Sequence, residues 1–98
     1  MNLPYMLKVT IPAYRTAQQS VLDALRAEHG AWAAWATLVE TAGFKVGGVD
    51  ERTAMAAWLT AVRVRRALED DAAKSEVQTQ MWFAMRLAED GLKEEQQS

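Results

Sequence analysis

Apolar residues recur at intervals of three and four from Tyr14 onward, and at intervals of two before it. Tyr14, Val21, Leu25, Trp32, Trp35 and Val39 follow helical spacing, with Gln18 and Glu28 filling the gaps. Leu25 and Trp32 stay in phase across Gly30. The cost of an internal glycine, about 1 kcal/mol against alanine, is one that packing can offset. A single helix over about 12–42 is therefore expected, with two shorter helices as the alternative. Pro12 suits its first turn, where the missing N–H costs nothing. Gly43 supplies a left-handed residue after its end, and Phe44 can fold back on Val39 in a Schellman motif.

The segment before Pro12 reads differently. Tyr5, Leu7, Val9 and Ile11 alternate with Met6, Lys8 and Thr10, and Pro4 and Pro12 bracket the run. This period of two predicts a short extended arm over 1–11. The arm is expected to lie across the helices and cover core. The alternative is addition as a strand to another chain, since a lone strand satisfies none of its own backbone groups.

Lys45-Val46-Gly47-Gly48-Val49 is the clearest loop. Asp50 then suits an N-cap, with Glu51 beside the positive helix end. Met55, Trp58, Leu59 and Val62 share one face of the following helix. The same face then meets Arg65, Arg66 and Glu69, which predicts a helix over 50–69 and a break near 69–75. Ser75 followed by Gln78 has the form of a capping box. The last helix, about 75–90, carries Val77, Met81, Ala84, Met85, Ala88 and Leu92 on one face, and Gly91 can stop it. The polar segment 93–98 is expected to fray. The pattern as a whole predicts an all-α fold: one helical domain over 12–92, a compact bundle of three to four helices with an extended N-terminal arm.

Composition supports one small domain. The chain has 98 residues, half of them apolar and about a quarter charged, with four tryptophans and eighteen alanines. Large flat side chains beside small ones suit close helix packing, and Trp32 and Trp35 read as core among Ala31, Ala33, Ala34 and Ala36. There are no cysteines, so disulfides, thiolate metal sites and cysteine nucleophiles are excluded, which fits a cytoplasmic protein. The first fifteen residues lack the form of a secretory signal, and no apolar run is long enough for a membrane span. A net charge of −2 argues against broad affinity for nucleic acid or anionic lipid.

Candidate chemistry is sparse. His29 has no Glu or His at a ligand-like spacing on its own face, which leaves a metal site without support. Ser20, Asp23 and His29 fail as a triad: nine residues between Ser20 and His29 amount to about 13 Å of helix rise. Gly47-Gly48 lacks the lysine and spacing of a phosphate cradle. Glu69-Asp70-Asp71 could hold Mg²⁺, but each lies within four residues of Arg65, Arg66 or Lys74 and reads better as a helix-surface ion pair. No catalytic residue, cofactor or metal is expected, and the chain reads as a non-enzyme.

The strongest binding signal is in the last helix. Phe83 and Leu87 lie on the side opposite Met81, with Trp82 on the flank between. A helix with two apolar faces in a small bundle predicts contact with another chain, self or non-self; the alternative is cover by the N-terminal arm or by the loop around Phe44. The expected function is thus a protein-interaction module, an adaptor, assembly factor or inhibitor. It would use Trp82, Phe83 and Leu87, with Tyr5, Leu7 and Val9 of the arm as a second attachment. The alternative is nucleic-acid binding through Arg63, Arg65 and Arg66, with Arg52 in support. Such a composition suits accessory proteins, including those of phages and mobile elements.

Overall fold

The computed structural model describes residues 2–97, with side-chain surroundings for residues 2–92. Two α-helices, α1 (Leu3–Thr41) and α2 (Val49–Gln97), run antiparallel and are joined by a turn over 42–48. The molecule is a rod of 76 × 20 × 14 Å with a Cα radius of gyration of 22.2 Å. A compact domain of this length would have a radius near 13 Å. The fold is an extended helical hairpin, which overturns the expected compact bundle of three to four helices.

Four expectations fail with it. The N-terminal arm over 1–11 is helical from Leu3, and Pro12 lies inside α1 instead of opening it. Asn2 caps the start, its Oδ1 accepting from the Tyr5 amide at 3.2 Å, and Pro4 occupies the first turn. The expected break at 69–75 is absent, so the helices predicted over 50–69 and 75–90 are parts of one helix. Gly91 does not stop α2, and the side chains of the 93–98 tail lie outside the described residues.

The spacing of shielded residues explains these differences. On α1 they include Leu3, Leu7, Thr10, Tyr14, Ala17, Val21, Ala24, Glu28, Ala31 and Trp35, in strict alternation of four and three. On α2, Trp58, Ala61, Arg65, Leu68, Ala72, Ser75, Thr79 and Trp82 continue the same rhythm through the expected break. A sustained repeat of seven is the seam of a coiled coil, held in register by slight supercoiling of both helices. Leu3, Leu7 and Thr10 belong to that seam, which is why the first turns are helical although alternate residues there are also apolar. At Arg65 the seam turns polar without ending.

Alanines dominate the middle of the seam, so the helices meet through small side chains. Among the described residues only Ala24 and Thr10 are buried, and no large side chain is fully enclosed. The turn keeps the predicted cap on α1, whereas α2 begins at Val49, so Asp50 lies in its first turn and is not the expected N-cap. The Phe44 amide donates to the Val39 carbonyl at 2.8 Å and the Gly43 amide to Glu40 at 3.0 Å, the two bonds of a Schellman motif. Gly43 has φ +68°, and Phe44 shares the left-handed region at +65°. Glu51, in the first turn of α2, closes the loop by accepting from the Gly47 amide at 3.2 Å.

Candidate interaction face

Position one past each seam residue and a second stripe appears, about 100° round each helix. On α1 it holds Ile11, Gln18, Leu25 and Trp32, flanked by Leu22 and His29; on α2 it holds Val62, Glu69, Glu76 and Phe83, flanked by Leu59, Arg66, Ala73 and Leu87. The two stripes line the same side of the hairpin. A groove brings Tyr14, Val21 and Leu22 of α1 together with Glu69, Ala73 and Glu76 of α2. A second groove nearer the turn joins Leu25, His29 and Trp32 to Trp58 and Arg65.

Ile11, Leu22, Leu25, Trp32, Leu59, Phe83 and Leu87 are all exposed, Phe83 and Leu87 each at 57%. Residues of this size usually fill a core. Here alanines line the middle of the seam, and a second set of bulky side chains stands beside it. The sequence reading assigned Leu25, Trp32 and Leu59 to core and passed over Leu22. The steps 22, 25, 29 and 32 were the available signal, a second helical stripe offset by one from the first.

The polar residues near this face are tied together. Arg65 crosses the seam to Glu28: its Nε donates to Oε2, and its Nη2 to Oε1 at 3.4 Å. Its Nη1 also donates to Glu69 at 2.9 Å. These hydrogen bonds, Glu28 first and Glu69 second, hold the Arg65 guanidinium above its ordinary pKa. Near the turn, Trp35 donates from Nε1 to Glu51 at 2.9 Å and stacks on Trp58 with ring centroids 5.8 Å apart. His29 stacks on Trp32 at 6.2 Å.

The structure distributes the expected binding residues unevenly. Phe83 and Leu87 share the face just described. Trp82 lies in the seam, half-buried, with its Nε1 enclosed and without a hydrogen-bond partner. Leu7 is a seam residue, whereas Tyr5 and Val9 are exposed on other sides of α1. Arg65 is engaged across the seam; Arg52, Arg63 and Arg66 are exposed. The face predicted to point inward along the last helix points to solvent instead: Met81 is 60% exposed, and Val77, Met85 and Leu92 are exposed with it. The seam there runs through Ser75, Thr79 and Trp82.

The weak candidates for chemistry are locally satisfied. Ser20 donates to the Thr16 carbonyl at 3.1 Å, and Asp23 accepts from Gln19 at 3.0 Å. Among the described residues no group of three or more His, Asp or Glu side chains converges as a metal site. None of the helices, over those residues, is long and apolar enough to cross a membrane. No known family matches the sequence, and no curated protein or solved structure is similar to it.

Proposed function

We propose that this chain is a non-enzymatic protein-interaction module whose apolar hairpin faces are its working surface. The observation that carries the reading is the surface it leaves open. A folded protein of 10.9 kDa exposes about 5,600 Å² when compact, by the usual scaling, whereas this chain exposes 7495 Å². The excess is large enough for a standard protein interface, which hides roughly 800 Å² on each partner. Phe83 and Leu87, with Ile11, Leu22, Leu25 and Trp32, supply the bulky apolar anchors that such interfaces use.

The test is a charged substitution on that surface. Phe83→Glu is expected to abolish association, measured as solution mass or as co-purification with a partner, while far-ultraviolet circular dichroism keeps its helical amplitude. Undiminished association would remove Phe83 and its neighbours from the working surface.

The nucleic-acid alternative has weaker support, because Arg65 is occupied by Glu28 and Glu69. Arg63 and Arg66 alone make a small footprint on a chain of net charge −2. A cytoplasmic location belongs to the same proposal and rests on the cysteine-free composition.

A further inference from the structure

We infer that the occupant of the Ile11–Leu22–Leu25–Trp32 and Leu59–Phe83–Leu87 face is a second copy of this chain, the two hairpins stacking into a four-helix bundle. The inference rests on the interaction reading above and names its partner.

Three observations carry it. The first is area. The chain exposes 7495 Å², roughly 1,900 Å² beyond the compact expectation for its mass. Obligate dimers hide on the order of 1,000–2,500 Å² per subunit, so covering one long face with a copy accounts for most of the excess. A smaller contact would leave much of it open.

The second is pattern. A two-stranded coiled coil needs apolar residues only along its seam, whereas helices in a bundle carry a wider stripe. Here Leu25 and Trp32 widen the stripe of α1, and Val62 and Phe83 widen that of α2, on the side shared by both grooves. The other flank is built mainly from small or polar residues on α1: Ala13, Ser20, Ala27, Gly30 and Ala34. The bulky side is therefore the one shaped for a second layer.

The third is charge. The face carries Lys8, Arg15 and Arg66 against Glu69 and Glu76, with His29 between the turn and the middle. Charges of both signs alternate along it, so two copies can set opposite charges against each other despite the negative chain. The face runs from Ile11 to Trp32 on α1, about 32 Å at 1.5 Å per residue, and a partner covering it needs a comparable length and the same seven-residue rhythm. A second copy meets both requirements.

The experiment is sedimentation velocity and light scattering on the full chain across a wide concentration range. The expected mass is twice 10.9 kDa, with a melting temperature that rises with concentration. Leu25→Glu should weaken the dimer by roughly a hundredfold or more, because each assembly buries two unpaired carboxylates. Met81→Glu, off this face, should leave it within about threefold.

A mass of 10.9 kDa at every concentration, with helicity intact, overturns the inference. The interaction reading then still stands, with a different protein as occupant. A dimer broken by Met81→Glu and spared by Leu25→Glu overturns the choice of face.

Should Leu25→Glu fail to fold, the cysteine-free background supplies a second route. A single thiol at Gln18→Cys should be alkylated at least tenfold more slowly than one at Lys74→Cys wherever the mass is doubled. Equal rates overturn the stacked arrangement.

Discussion

The two ends of the hairpin are built from similar residues and held in different ways. Near the turn, Trp35 and Trp58 stack across the seam, and Glu51 accepts the Trp35 N–H. Farther along, Glu28 and Arg65 satisfy each other. At the open end, Thr10 and Trp82 occupy facing levels of the seam, yet the Thr10 hydroxyl and the Trp82 N–H are enclosed without partners. Ser75 and Thr79 take seam positions there, while Tyr5, Val9, Met81 and Phe83 face outward. The turn end is closed by its own side chains. The open end puts polar groups inside and apolar ones outside, and it gains most from being covered.

That contrast can be broken or sharpened by substitution. The largest effect is expected from Trp58→Ala, which removes one ring of the stack and its half-buried surface. A loss of about 3 kcal/mol in a denaturant titration is expected, the low end of the range for large aromatic truncations. A loss below about 1 kcal/mol would mean that the turn end is no better held than the rest.

Next comes the polar layer. Arg65→Met alone strands Glu28 in the seam and should lower the melting temperature. Arg65→Met combined with Glu28→Leu should recover much of that loss, since a partly buried ion pair is replaced by packing. If the double variant melts lower than either single one, the layer contributes net stability.

The two remaining substitutions form a matched pair. Trp35→Phe loses a hydrogen bond to a carboxylate and should cost about 1–2 kcal/mol. Trp82→Phe removes an unsatisfied N–H along with some apolar surface, and should change stability by no more than about 0.5 kcal/mol. Chemical denaturation of both variants checks this directly. Equal costs would show that the two indoles sit in equivalent surroundings and remove the asymmetry.

How much of this was legible in the sequence depended on the kind of signal. Local backbone chemistry read well. Gly43 and Phe44 form the expected Schellman turn, the loop takes in Lys45–Gly48 but not Val49, and α1 passes through Gly30 unbroken. Arg65 also meets the acid four residues later. Reading failed where residue size stood in for burial. Leu25, Trp32, Leu59 and Met81 looked like core because they are large and apolar, but they stand outside the seam, whose middle holds Ala17, Ala24, Ala31, Ala61 and Ala72.

The break at 69–75 was inferred from charges entering an apolar face. It would have been avoided only by pairing Arg65 with Glu28, thirty-seven residues away. The arm over 1–11 failed for a different reason. Tyr5, Leu7, Val9 and Ile11 satisfy a period of two, while Leu3, Leu7, Thr10 and Tyr14 satisfy three and four, and contact with α2 decides between them. The proposed interaction face was half legible: Phe83 and Leu87 stood out as a second apolar side of one helix, and their neighbours on α1 did not.

The seven-residue rhythm of the seam has a consequence for recognition. A seven-residue rhythm implies a left-handed supercoil that completes a turn in about 150 Å, so the seam with the apolar strip beside it, about 48 Å from Leu3 to Trp35, corresponds to roughly a third of a turn. A flat or straight surface can follow that strip only for a few helical turns before it rotates out of reach. A partner in contact from end to end must wind with the same hand and pitch. A hairpin that binds a partner along this strip, as proposed, would therefore select by handedness as well as by apolar character.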